Sequence, residues 1–285
     1  RVPHIPAVGE TILAKGQSLY GGGKGANQAL AASRLGGKVY IIGRLGDDAY
    51  AKELHQGLVE NGANVEGIEF DSKVPTGAAY IYVSDQGDNN IVVNPGANSQ
   101  VDINQIKRHE ILFENADYCL IQMEIPIETV EYVIALCKEK NIRVLLNPAP
   151  AHDISDETLK DLYMILPNET ELEILGGRRG SLEEMAEGLF KKGVKNVLVT
   201  LGEKGCMLVN HEGIRHFPAP PFTPVDTTAA GDAFVAGMTV GLSEGMELDQ
   251  AIKFASYAAG ITISKEGAQV SLPDREAVDA YLNKN

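Results

Sequence analysis

Tyr118-Cys119-Leu120-Ile121-Gln122, a helical pattern over Ile127–Lys140, and Val144-Leu145-Leu146-Asn147 set two short apolar runs on either side of one helix-length segment. Apolar runs of this length, without polar alternation, suit strands buried on both faces, and parallel strands need a crossover helix between them. The rhythm extends in both directions. Lys38–Arg44 precedes a helical pattern over Tyr50–Glu60, Met164–Leu166 precedes Glu169–Leu175, and Asn196–Thr200 is a further buried strand. Helices over Ala230–Glu244, Leu248–Ser264 and Arg275–Leu282 close the chain, after short strands around a turn at Asn210–Gly213. The prediction is an α/β fold, a doubly wound, mostly parallel sheet flanked by helices.

One stretch departs from this rhythm. Thr76–Ser84 and Asn90–Asn94 flank Asp85-Gln86-Gly87-Asp88-Asn89, which reads as an antiparallel hairpin, and Thr11–Ala14 and Gln17–Leu19 around Lys15-Gly16 look similar. Together they predict a small four-stranded sheet, residues 5–20 and 74–94, standing off an α/β domain of 21–73 and 95–285. Such a sheet reads either as a lid or as plain edge strands. Ala79, Ile81 and Val83 give it one apolar face in need of a partner, hence an expected homodimer formed lid to lid.

Composition narrows the function classes. With 25 Lys and Arg against 39 Asp and Glu, the net charge of −14 argues against nucleic-acid or anionic-membrane binding, so any phosphate must be handled by local loops. The three cysteines are too few and too scattered for a disulfide framework or a zinc site, and read as buried thiols of a reducing cytoplasm. No run approaches the roughly 20 apolar residues of a membrane span, and no signal pattern opens the sequence.

The chemistry gathers in loops before helices and after strands. In Val225-Asp226-Thr227-Thr228-Ala229-Ala230-Gly231-Asp232 small residues precede a long helix, whose first N–H groups form an anion site. Asp232 there reads either as a complement to the helix dipole or as a base taking a proton where negative charge builds. Gly21-Gly22-Gly23-Lys24-Gly25-Ala26-Asn27-Gln28 is neither a P-loop nor a dinucleotide fingerprint, which removes an NAD-dependent dehydrogenase. It offers a close-approaching backbone, with Lys24 and Asn27 suited to hydroxyl groups. Asn168-Glu169-Thr170-Glu171 reads as a capping box or as a site near hydrated Mg²⁺. Thr200-Leu201-Gly202-Glu203-Lys204-Gly205 lies at a strand end, where open sheets bind ligands, and reads as a nucleotide turn or a plain one. Glu124, after another strand, faces either the cleft or solvent.

In chain order, Gly22–Gln28, Asn147-Pro148-Ala149-Pro150-Ala151, Pro167–Glu171, Thr200-Leu201-Gly202, Asp226–Asp232 and Lys265-Glu266-Gly267-Ala268-Gln269 together resemble the ribokinase-like carbohydrate kinase family, over essentially the whole chain from Val8 onward. Ala230-Gly231-Asp232 is the family-specific signature, while the glycine loop with Asn27 and the Asn-Pro-Ala-Pro segment point to its ribose-phosphorylating branch. The resemblance implies ATP-dependent phosphorylation of D-ribose at O5. It makes Asp232 the base and Ala229, Ala230 and Gly231 the anion hole. Gly22, Gly23, Lys24, Gly25, Ala26, Asn27 and Glu124 would hold the sugar. Asn168, Thr200, Leu201, Gly202, Glu203, Lys204 and Gly205 would contact ATP, together with Gly231, and Ser256 would meet the adenine. Glu171 would act through Mg²⁺ and water, and Asp226, Thr228, Thr262, Lys265, Gly267 and Ser271 would ring an activating K⁺. The alternatives are a kinase of deoxyribose, fructose or a nucleoside, and a silent sugar-binding regulator, which Asp232 and Glu171 together disfavour. Members of the family begin with a strand ending near a sugar-binding Asp, and this sequence starts after it. About 10–20 further N-terminal residues are therefore expected, and without them weak sugar binding and poor stability.

Overall fold

Alternate residues of the central strands point to opposite layers, and that alternation builds two cores. The computed structural model describes residues 1–177 and 180–283, so Arg178, Arg179 and the last two residues of the 95–285 segment lie outside it. In chain order it forms α1 (Lys24–Arg34), β1 (Tyr40–Gly46), α2 (Ala49–Glu60), β2 (Asn64–Asp71), β3 (Ala78–Val83), β4 (Asn89–Asn94) and α3 (Ile103–Arg108). Then come β5 (Tyr118–Ile121), α4 (Ile127–Glu139), β6 (Arg143–Leu146), α5 (Asp156–Leu159), β7 (Met164–Ile165), α6 (Glu169–Leu175), α7 (Leu182–Lys191) and β8 (Asn196–Thr200). The chain continues through β9 (Cys206–Asn210), β10 (Gly213–Phe217), α8 (Ala230–Ser243), α9 (Leu248–Ile263) and α10 (Arg275–Leu282).

Strands β5 to β8 pair in parallel, and the β9–β10 hairpin extends them antiparallel into a six-stranded sheet. Val144, Leu146, Ile165, Val197, Val199, Met207 and Val209 face α3, α4, α6 and α7, while Leu145, Met164, Leu198, Cys206 and Leu208 face α8 and α9. Period-2 alternation of large aliphatic residues thus gives each face its own apolar layer, and helices cover both. A third cluster joins α1, α8, α9 and α10 around the fully buried Phe254. Strands β1 and β2 pair in parallel as a separate two-stranded sheet. Cys137 and Cys206 are buried as expected, whereas Cys119 on β5 is only partly so.

The antiparallel sheet is smaller than the sequence suggested. Strands β3 and β4 form the expected hairpin, in register from Ala78 opposite Asn94 to Val83 opposite Asn89, with an added bridge between Val2 and Ser84. Thr11–Ala14 and Gln17–Leu19 form no strand. Leu13 and Leu19 stay 88% and 68% exposed, so these three- and four-residue pieces gain no burial to offset the entropy of ordering them. The ribbon is apolar on both faces rather than one: Ile81 and Ile91 pair on one side, Tyr80 and Val92 on the other, all more than half exposed.

Candidate active site

The C-terminal ends of the parallel strands and the N-terminal ends of three helices, α1, α6 and α8, meet at one cleft of about 240 Å³, as expected for an open α/β sheet. Strand β6 contributes Asn147, β7 leads into Leu166 and Asn168, and β8 ends at Thr200. Lys24 comes from the start of α1, and Thr227, Ala229, Gly231 and Asp232 from the start of α8.

Two backbone conformations open the helix ends. Gly23 caps α1 at φ 90°, a left-handed turn that glycine takes without steric cost. Ala229 caps α8 at φ 61° and ψ 6°, a conformation that costs a residue with a Cβ on the order of 1–3 kcal/mol. That turn directs the Ala230 N–H to the Thr227 carbonyl, 3.2 Å away, and leaves the N–H groups of Gly231 and Asp232 in no hydrogen bond among the described residues. Two free N–H groups at the positive end of a 14-residue helix are an anion site.

Asp232 sits beside them, 7% exposed. Its Oδ2 accepts from Asn27 Nδ2 at 2.8 Å, and its Oδ1 from Gln28 Nε2 at 2.9 Å. Burial pushes its carboxyl above the ordinary aspartate range, while the Lys24 charge and the two amides work to hold it ionised. Burial likewise raises Glu171 and Glu124. Glu124 accepts the Lys24 backbone N–H at 2.8 Å, which turns it toward the glycine loop and away from open solvent. Asn168 and Glu171 form a reciprocal capping box at α6, with bonds of 2.8 and 2.9 Å, and both line the cleft. The capping reading of this pair is therefore correct, and the same two residues border the cleft.

Other expected residues lie further out. Gly22, Gly25 and Ala26 belong to the loop and first turn of α1. Leu201, Gly202, Glu203, Lys204 and Gly205 form a tight turn closed by the Leu201 N–H on the Gly205 carbonyl at 2.8 Å, next to the cleft edge at Thr200. Gly205 holds φ 91°, and a Cβ there would collide with the Phe217 carbonyl oxygen. Ser256 lies on α9 outside the cleft lining, its hydroxyl bonded to the Ile252 carbonyl at 2.8 Å. Asp226 ties two segments together, accepting from Thr228 through Oδ1 and from the Gly267 N–H through Oδ2 at 3.0 Å. The hydroxyls of Thr262 and Ser271 bond to the carbonyls of Ala258 and Ala268, and the Lys265 N–H to that of Thr262. Of the residues that line the cleft or bond to Asp232, the sequence reading gave no role to Gln28, Thr227, Leu166, Val235 or the side chain of Asn147. The available signal for Gln28 was a pair of amides, Asn27 and Gln28, inside an otherwise small and apolar run, because a buried amide demands a partner.

The arrangement can hold an anion at the start of α8 and take a proton from a hydroxyl placed against Asp232. The chain is 37% identical to the ribokinase of Haemophilus influenzae over 99% of its own length and 93% of that protein's. It superposes on a crystal structure of Thermotoga maritima ribokinase with a TM-score of 0.90, at 38% identity over 100% of this chain and 94% of that one. It also superposes on Arabidopsis thaliana ribokinase complexed with ribose and ATP, at 0.89 and 32% identity, covering 98% and 93%. The model of the pfkB family carbohydrate kinases matches residues 3–275, and the chain belongs to that family.

Proposed function

We propose that this chain transfers the γ-phosphoryl group of ATP to O5 of D-ribose, with Asp232 as general base. The observation that carries the reading is the buried Asp232 carboxylate beside the free N–H groups that open α8. Phosphoryl transfer needs positioning and charge stabilisation more than covalent help, and this corner supplies both. Ala229, Ala230 and Gly231 shape the hole for the transferring phosphoryl group. Gly22 to Asn27 and Glu124 hold the sugar, with Glu124 steadying the loop through Lys24. Asn168, Thr200 and the turn to Gly205 border the nucleotide, and Ser256 lies toward the adenine. Measuring ADP release with ribose, deoxyribose, fructose and adenosine tests the reading. Ribose is expected to give the highest kcat/KM; preference for another acceptor would replace the substrate, and no release with any would point to a silent binder.

Mg²⁺ bound with ATP neutralises phosphate charge. The residues present fit it: Mg²⁺ keeps several waters and needs few protein carboxylates, and Glu171 lines the cleft where it would hold metal-bound water. Glu171→Gln keeps the N-cap geometry and removes the charge, so the Mg²⁺ concentration for half-maximal activity is expected to rise several-fold. An unchanged Mg²⁺ titration would leave Glu171 with capping alone.

K⁺ would act as a structural ion of the loop pair, since Asp226 already joins the start of the α8 loop to Gly267 and the Val225 and Asp226 N–H groups bond to the Ile263 carbonyl. Thr262 and Ser271 would ligate through carbonyls, their hydroxyls being engaged. Turnover is expected to be higher in K⁺ than in Na⁺, the larger ion suiting a carbonyl-rich ring, and equal rates in K⁺, Na⁺ and a bulky organic cation would contradict this.

The β3–β4 ribbon and the segment 5–20 act as the lid over the sugar, and the ribbon pairs with that of a second copy. Its exposed Tyr80, Ile81, Ile91, Val92 and Val93 supply the apolar surface. Light scattering at micromolar concentration is expected to give twice the chain mass, and the mass of one chain would remove the dimer. The three free cysteines suit a reducing cytoplasm.

A further inference from the structure

We propose that Gln28 is a positioning residue for Asp232, the last link of a one-way chain of amides that starts at the Leu166 carbonyl and fixes the carboxylate's orientation. The inference rests on the reading of Asp232 as the base.

The Leu166 carbonyl can only accept, and Asn147 Nδ2 donates to it at 3.1 Å. The other end of that amide, Asn147 Oδ1, must then face Gln28 as an acceptor, and it takes a hydrogen from Gln28 Nε2 at 3.1 Å. Gln28 Nε2 carries a second hydrogen, which goes to Asp232 Oδ1 at 2.9 Å. Its Oε1 accepts from Gln122 Nε2, the expected polarity once Nε2 is committed inward. Amide orientation elsewhere is an assignment; here a backbone carbonyl decides it. Gln28, Asn147 and Asp232 are 1%, 8% and 7% exposed, so the links are made among side chains rather than through bulk water. A leucine would fill the space at Gln28 without burying a polar group. Asn27 holds the other carboxylate oxygen and is itself fixed by Gln269 at 3.2 Å, so the two oxygens are tied from separate residues.

Donors to a carboxylate favour its charged form and its alignment toward the attacking hydroxyl. Gln28→Met removes the donor at nearly constant volume. The expected result is a fall in kcat of roughly ten- to a hundredfold with KM for ATP unchanged, and an acid limb of the kcat–pH profile about one unit higher. Gln28→Glu, which sets a second carboxylate against the first, should move the limb further in the same direction. Folding is checked by thermal unfolding and by binding of a non-hydrolysable ATP analogue. Gln122→Met alters a partly exposed residue and only releases Gln28 Oε1, so it folds readily and should shift the limb less in the same direction. A folded Gln28→Met enzyme whose acid limb is unmoved would overturn the proposal, whether or not kcat falls. If Gln28→Met does not fold, an unmoved limb in Gln122→Met overturns it instead. Full turnover in Asp232→Asn would bring down the base assignment itself, whereas an inactive Asp232→Asn beside an unmoved Gln28→Met limb removes only the role of Gln28.

Discussion

Asp232→Asn is expected to lower kcat by on the order of 10² or more, the usual consequence of losing a general base. The substitution keeps size and shape, so the anion site made by the backbone of α8 persists and binding of an ATP analogue should change little. It does not leave the local bonds whole. Asn27 and Gln28 both donate to the carboxylate, and an amide can accept at only one of its two ends, so one buried bond is lost at a cost of about 1–3 kcal/mol. A melting point a few degrees lower is therefore part of the expectation. The pH dependence follows from the direction of the shift. Burial raises the carboxyl of Asp232 above the ordinary aspartate range and only the ionised form takes a proton, so wild-type kcat should decline with falling pH before an ordinary aspartate would begin to titrate. That limb should vanish in Asp232→Asn. Turnover within a few-fold of wild type would show that another group accepts the proton.

Phe254→Ala should produce the largest loss of stability, about 3–5 kcal/mol. The ring is fully buried in the cluster joining α1, α8, α9 and α10, and the Arg275 guanidinium lies 5.0 Å from its centroid. Removing it leaves a cavity that four helices must collapse together to fill, and Arg275 is held elsewhere by Glu244 and Asp279. A fall in melting temperature of roughly 6–20 °C is expected in calorimetry. Because Asp232 is held by Asn27 and Gln28 and not by the Phe254 ring, kcat at low temperature should stay within about tenfold of wild type. A loss below about 1 kcal/mol would mean that the helices close over the gap.

Much of this was legible in the sequence because burial on both faces writes itself as continuous aliphatic runs. Tyr118–Ile121 and Arg143–Leu146 became strands where such runs stood, and the Asn168 and Glu171 spacing gave its capping box. Thr11–Leu19 misled because alternation describes a side-chain pattern and not the presence of a neighbouring strand: Leu13 and Leu19 have nothing to pack on. The ribbon's second apolar face, with Tyr80 and Val92, lies on the positions between Ala79, Ile81 and Val83, where period-2 alternation predicts polar residues. At the site, residues that end strands or open helices could be placed from order along the chain. Gln28 could not, since its value depends on meeting Asn147 and Asp232, which are 119 and 204 positions away. Nor could the engagement of the Thr262 and Ser271 hydroxyls within their own helical turns be read from residue type.

The most direct measurement is the phosphorus-31 spectrum of the product formed from ATP and D-ribose. Transfer to O5 predicts a sugar phosphate whose resonance is split by the two methylene protons of C5, appearing with ADP in equal amount and growing in on the order of a hundredfold more slowly with Asp232→Asn. A resonance split by the single anomeric proton, or ADP formed with no sugar phosphate, would contradict the account.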